Sequence, residues 1–388
     1  MKRFLTIKYA VLQASYWMSA CFFYSFTETF LTAKGLQAGD VGIVMSVSSI
    51  AAFLLQPVIA SILDKGGRIN FKNSICTLIA IAMLSGVGLV LASTTALIYT
   101  LLITLMTLSL VVQPLINSIG FAYVDQGEKL NYAASRGIGS GCYAIIALVF
   151  GRLAKVDVDY ILYGYILLSA LSIVSCYKIA PKSIEGKRNA NAGGVVQFLK
   201  KHPHFLIMLI GMMLVFLQHN LINAYMLSIV EKVGGDAGDV GTAVFLAAAV
   251  EVPVMMLYTR IQKRVPCDLL IKVAAAFFTI KSALLLLPLG IAGVYISQAL
   301  QFAGYGILIP ATGYYVNEMA DATDKVKGQA LLTNAMVMAG VSGYLAGGLF
   351  IDLWSVDTTL ILGTAVSLVG SLLFIFSTKR ILPKTVDS

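Results

Sequence analysis

Four ionisable residues stand where so apolar a chain should hold none: Arg136, His219, Glu251 and Lys281 each lie inside a long hydrophobic run. Burying such a group in hydrocarbon costs on the order of a few kcal/mol, so each is expected to face a cavity or a partner. Helical spacing shows which neighbours share their faces. Arg136, Ser140 and Tyr143 fall at i, i+4 and i+7, one stripe with a guanidinium, a hydroxyl and an aromatic ring. His219 and Asn223 are one turn apart, as are Gln113 and Asn117. Gln298, Gln301 and Tyr305 form a further stripe, and Gln13, Trp17, Tyr24 and Glu28 another. These groups hold and release; they do not break bonds. A guanidinium offers a planar fork of donors, a carboxylate accepts, amides do both, and a ring covers the apolar face of a pyranose.

The set suits a polyhydroxylated solute, although Arg136, Lys281 and His219 could bind a carboxylate as readily. Candidate binders are Arg136, Tyr143, Asn117, Glu251 and His219, with Asn223, Gln301, Gln298, Trp17 and Tyr24. Candidate proton carriers are Glu251, His219 and Glu28. Taken singly, an amide or tyrosine is as well explained by a hydrogen bond between packed helices, and Arg136 with Glu251 by a buried salt bridge. Lys281 is expected to pair with Glu251 of the preceding span, the alternative being contact with an anionic solute. Glu28, near a span end, is expected to be wetted, and Glu318 and Asp352 to be solvated end caps.

The elements that must position these groups follow from composition. Of 388 residues, 58% are hydrophobic and only 12% charged, and the mean hydropathy is +0.85. A globular core cannot hide that much apolar surface, which excludes a water-soluble enzyme or nucleic-acid binder. The five cysteines are odd in number and have no CxxC or histidine partner at ligand spacing, so neither disulfides nor a metal site is expected. No HExxH, GxSxG or GxxxxGK[ST] motif is present, so an enzyme or ATP-driven pump is not expected, nor any cofactor. No cleavable leader is expected ahead of the first run. Twelve spans are read at about 9–33, 41–63, 70–92, 95–118, 130–152, 159–180, 204–230, 239–260, 268–288, 291–316, 328–351 and 357–379.

With the N-terminus inside, the inner segments collect 22 of the 28 Lys and Arg, and the outer ones only Lys34, Arg152, Lys155 and Lys232. That bias predicts both termini in the cytoplasm of a bacterial cell membrane and explains the basic balance without nucleic acid. The polar stretch 182–203 predicts a cytoplasmic linker between two six-helix halves, 1–181 and 204–388. It is too short to be the output domain a membrane sensor would need. Self-similarity supports the division. Gly39-Asp40-Val41-Gly42 returns as Gly238-Asp239-Val240-Gly241, Pro57 as Pro253 and Pro114 as Pro310.

At the inner end of span two, Ala60-Ser61-Ile62-Leu63-Asp64-Lys65-Gly66-Gly67-Arg68 resembles the G-x-x-x-D-[RK]-x-G-[RK] loop of the major facilitator superfamily, with Ala60 for the first glycine. Asp64, Lys65, Gly67 and Arg68 are its matching positions. The resemblance implies an all-α membrane protein of twelve transmembrane helices, in two six-helix bundles related by a pseudo-two-fold axis. A narrower resemblance covers Asn131 to Tyr143, which is similar to the lactose permease and related oligosaccharide–proton symporters, and to the phenylpropionate permease group. It implies that Arg136 grips sugar hydroxyls, that Tyr143, in place of a tryptophan, stacks on the ring, and that Glu251 hydrogen-bonds sugar. Asn117 stands where those proteins have a carboxylate, and His219 matches a histidine of the phenylpropionate group. Their coupling His and Glu of span ten fall at Gln301 and Gly304.

The reading is a monomeric secondary active transporter taking a sugar-like solute with a proton by alternating access. The alternatives are an organic-acid or nucleoside permease, a drug exporter, and, from another class, a non-transporting membrane sensor.

Overall fold

The computed structural model describes residues 2–64, 70–181, 194–320 and 324–379, all helical apart from short turns. The first half comprises α1 (Lys2–Ser25), α2 (Thr27–Ala33), α3 (Ala38–Asp64), α4 (Phe71–Leu91), α5 (Thr95–Asp125), α6 (Tyr132–Ala154) and α7 (Asp159–Ile179). The second comprises α8 (Val195–Lys201), α9 (Pro203–Ala224), α10 (Met226–Lys232), α11 (Ala237–Ile261), α12 (Cys267–Leu284), α13 (Gly290–Ala299), α14 (Tyr305–Met319), α15 (Lys325–Leu353) and α16 (Val356–Ser377). A 3-10 turn, Leu300–Phe302, joins α13 to α14.

Among the described residues, ten stretches are long and apolar enough to cross a bilayer by themselves. The other two of the twelve spans are α1–α2, broken at Phe26, and α12, whose 18 residues include Asp268, Lys272 and Lys281. Three expected spans are therefore broken helices. Span one parts at Phe26, span seven at Tyr225 and span ten at the 3-10 turn. The expected linker holds a short helix, α8, whose Phe198 is buried against Phe205 and His202. Lys65, Gly67 and Arg68 lie outside the described residues; Asp64 ends α3, and its side chain lies outside them too.

The duplication runs deeper than the three sequence matches. Gly35 and Gly234, 199 apart, both take positive φ, 82° and 81°, in the turns ahead of α3 and α11. Only glycine enters that region without a steric penalty. In the next turn, Asp40 accepts from the backbone N–H of Gln37 (2.8 Å) and from the hydroxyl of Tyr99. Asp239 does the same with Asp236 N–H (2.9 Å) and Tyr295 (2.6 Å). Each carboxylate ties a helix start, whose first N–H groups lack intrahelical partners, to another helix of its own half.

At this Gly35/Gly234 end the halves are clamped together. Helix α6 packs along α11, and α3 along α15. Both crossings rest on close backbone contact: a Cβ on Gly151 would lie 2.8 Å from Gly241 Cα, and one on Gly348 would meet the carbonyl of Ala38. Among the described residues, the hydrogen bonds between the halves all lie toward this end. Asp352, exposed as expected, accepts from Ala38 N–H (3.1 Å) and Gly39 N–H (2.6 Å), so the helix start it caps belongs to the other half. Tyr225 donates toward Ala38 O of the other half (3.3 Å) and Tyr344 O of its own (2.5 Å), and Ser46 donates across to Val341 O (2.9 Å). At the rim Lys155 pairs with Asp236 (2.8 Å), and this hydrogen bond holds the Asp236 carboxyl below the usual range. Further along α6, Gly137 and Gly141 face open space.

Candidate functional site

Two groups of side chains face each other midway along the bundle. The first hangs on α1, α5 and α6. Arg136 is one turn into α6, where Asn131 caps the helix by accepting from Ala134 N–H (2.9 Å). Its guanidinium carbon lies 3.8 Å from the Trp17 ring centroid, and Nη1 donates to Ser140 Oγ at 2.6 Å. The i, i+4 part of the expected stripe is thus a bond. A cation over an indole face is held by the ring quadrupole, contributing about 0.5–2 kcal/mol. Trp17 is fixed in turn: its indole N–H donates to Gln13 Oε1 (3.1 Å). Gln13 Nε2 donates to the Tyr9 hydroxyl (2.7 Å) and to Asn117 Oδ1 (3.2 Å). Tyr24 stacks on Trp17 at 6.2 Å and donates to Gln113 (3.2 Å), while Tyr143 meets Trp17 edge-on at 6.3 Å. The Tyr143 hydroxyl is already engaged by Ser25 Oγ at 2.6 Å, so its ring is the part left for a solute.

The second group hangs on α9, α11, α12 and the broken span ten. His219 is 5% exposed, stacked on Tyr305 at 5.3 Å, with Asn223 3.0 Å from Nε2. Nδ1 of the same ring is buried without a partner. Gln298 and Gln301 are buried, the latter in the 3-10 turn, and both turn an amide oxygen to the Lys281 ammonium, Gln298 at 3.3 Å. The expected Lys281–Glu251 ion pair is absent. Among the described residues no carboxylate comes within 4.0 Å of Lys281, and Gln301 stands beside both partners. The arrangement has a physical reason: amide oxygens satisfy a buried ammonium without forcing two desolvated charges together.

Glu251 belongs to α11, which packs along α6, the helix of Arg136 and Tyr143, and a Cβ on Gly306, next to Tyr305, would lie 3.7 Å from Glu251 Cα. Arg136 has no carboxylate within 4.0 Å among the described residues, which removes the buried salt bridge with Glu251 as its explanation. Its remaining N–H donors are therefore unspent. All ten candidate binders fall into these two groups, while Glu28 does not. The break at Phe26 turns it away, and instead of being wetted it is 3% exposed and bonded to the other half. Tyr344 of α15 was not foreseen: its carbonyl accepts from Tyr225 and lies against Gly42 of the other half. Its only sequence signal is Gly340 one turn before it, with Gly343, Gly347 and Gly348 marking α15 for close approach.

The chain's relatives agree with this architecture. It is similar to the maltose permease of Geobacillus stearothermophilus, at 23% identity over 349 residues, 89% of this chain and 87% of that protein. Among solved structures, a mutant of the nucleoside transporter NupG superposes with a TM-score of 0.83 at 14% identity, covering 98% of this chain and 100% of the other. A bacterial homologue of the human lysosomal transporter Spinster, inward-facing and unoccupied, gives 0.71 at 10% identity, covering 98% and 97%. These likenesses show that the chain shares its fold with solved membrane transporters. The profile of the MFS_1 like family matches residues 7–362, so the chain belongs to that family of multi-pass membrane transporters.

Proposed function

We propose that this secondary transporter carries a sugar of the disaccharide class together with a proton, as a monomer in the bacterial cytoplasmic membrane, with both termini in the cytoplasm. Residues 1–181 and 204–388 act as the two moving bodies, and 182–203 as their tether. With the Gly35/Gly234 end outward, as the Lys and Arg bias requires, the hydrogen bonds that clamp the two halves lie on the outer side.

The observation that carries the reading is Arg136, held 3.8 Å over the Trp17 ring with no carboxylate partner among the described residues, amid amides and rings. Arg136 and Asn117 supply hydroxyl-binding groups from one half, and Asn223 and Glu251 from the other. Tyr143 and Trp17 offer ring faces to a pyranose. A solute touching both groups is contacted by both halves, which is how binding at a midplane site biases which side is open. The similarity to a maltose permease supports the solute class.

Glu251 is the proton carrier in this scheme. It sits between a mobile-bodied cation, Arg136, and a fixed one, Lys281, reached through Gln301. Rocking the halves alters the first distance and leaves the second, so the two conformations hold the Glu251 proton with different strength. His219, enclosed by Phe216, Phe278 and Tyr305, is the second candidate.

A second reading is supported by the rings: Trp17, Tyr24 and Tyr305 could sandwich the base of a nucleoside or an aromatic acid. Counterflow in proteoliposomes, with labelled maltose, a nucleoside and an aromatic acid in parallel, separates the two. Exchange of the disaccharide alone supports the first, exchange of the nucleoside or acid alone supports the second, and exchange of none defeats both.

A further inference from the structure

The breaks in spans one and seven are equivalent: Phe26 and Tyr225 are 199 residues apart, the offset of the glycine turns. A break frees backbone N–H groups that buried protein must satisfy. In span seven the freed groups are satisfied from the other half. Glu28 Oε2 accepts from Leu227 N–H at 2.7 Å and Oε1 from Ser228 N–H at 3.1 Å, and the Ser228 hydroxyl donates to Oε1 as well. The arrangement is one-sided, because the residue equivalent to Glu28 is Leu227. Glu28 forms no ion pair among the described residues, so its charge rests on these three donors.

We infer that Glu28 is a gating residue of the transport cycle: its carboxylate latches the clamped end of the bundle shut by holding α10 of the opposite half. Parting the halves must separate the carboxylate from all three donors at once. Charge-assisted hydrogen bonds are the stronger kind, and at 3% exposure no water stands ready to replace them. Asp352 also crosses between the halves, onto Ala38 and Gly39, but it is exposed, and water can take over its bonds as they break. The two carboxylates thus differ in what opening costs, and Glu28 carries the larger share. The assignment needs only the transporter fold, and stands apart from the solute and from Glu251.

The test is a distance across the clamped end, measured without substrate. Val156, in the turn after α6, and Leu353, the last residue of α15, are 76% and 69% exposed and belong to opposite halves. Val156→Cys and Leu353→Cys, in the full chain with its five native cysteines replaced by serine, would carry spin labels for pulsed dipolar spectroscopy in lipid nanodiscs. The unaltered latch should give mainly the short distance. Glu28→Ala should raise the long-distance population roughly tenfold, the equivalent of one charge-assisted bond. Glu28→Gln and Ser228→Ala should move it less in the same direction, and Asp352→Ala less than Glu28→Ala. Should Glu28→Ala fail to fold, Glu28→Gln and Ser228→Ala decide. Folded Glu28 variants with an unshifted distribution would overturn the latch, and so would an equal shift from Asp352→Ala.

Discussion

Where Asp40 and Asp239 take the hydroxyls of Tyr99 and Tyr295, the two halves carry the same turn glycine, the same helix-start carboxylate and the same tyrosine; midway along those helices they diverge. The paired prolines give the register. Glu251, two residues before Pro253, corresponds to Leu55 before Pro57. Gln298 and Gln301, ahead of Pro310, correspond to Leu102 and Leu105 ahead of Pro114, whereas Asn117, three after Pro114, corresponds to Gly313. The ends were kept because both must cap and clamp the same way. The middles took separate work: a rigid donor and ring surface in the first half, and a titratable carboxylate with a buried cation in the second. On this account both halves contact the solute, the first supplying the rigid part of its site and the second the coupling groups.

Arg136→Lys should break the binding side outright. Lysine keeps the charge but loses the planar fork and the fit to Trp17, so both exchange and accumulation should fall on the order of 100-fold, with thermal unfolding unchanged. Robust uptake by that variant would return Arg136 to a packing role. Lys281→Gln should act on the other side. Removing the fixed cation near Glu251 should cut gradient-driven accumulation roughly tenfold while counterflow stays within about twofold; a parallel loss of counterflow would place Lys281 on the solute.

Tyr143 sharpens the contrast, because its hydroxyl is spent on Ser25 and its ring is not. Tyr143→Ala should weaken solute binding by about tenfold and Tyr143→Phe by twofold or less, read as half-saturation in counterflow. Equal losses would make the hydroxyl the working part. The smallest effect belongs to the rim. Asp236 is held low by Lys155, so whatever the pair adds is present above about pH 3.9 and fades as pH falls through the lower folded value. Lys155→Ala should leave transport at neutral pH unchanged and slightly flatten the acid limb of a thermal-stability profile.

Much of this was legible in the residues. Spans follow from hydropathy, the duplication from repeated turns and prolines, and the Arg136–Ser140 contact from helical spacing. The breaks were not legible. Pro57, Pro114, Pro253 and Pro310 all sit inside continuous helices, while the chain breaks at Phe26, Tyr225 and Leu300–Phe302 without a proline. Those breaks are stabilised by partners far away in sequence, such as Glu28 for Leu227 and Ser228, and local propensity carries no record of them. The same distance hid the fate of Glu28 and of Asp352. Lys281 escaped the reading for another reason: charge arithmetic pairs ions, and in the fold Gln298 and Gln301 take the ammonium.

The division of labour is tested most directly by Glu251→Gln, reconstituted in proteoliposomes and assayed twice in one preparation. Once the solute is known, counterflow between equal pools reports binding and rocking, and uptake against a concentration gradient under an imposed pH difference reports coupling. The account predicts measurable counterflow with accumulation abolished. Continued accumulation by Glu251→Gln in response to the pH difference would contradict it, and would pass the proton to His219 or Glu28.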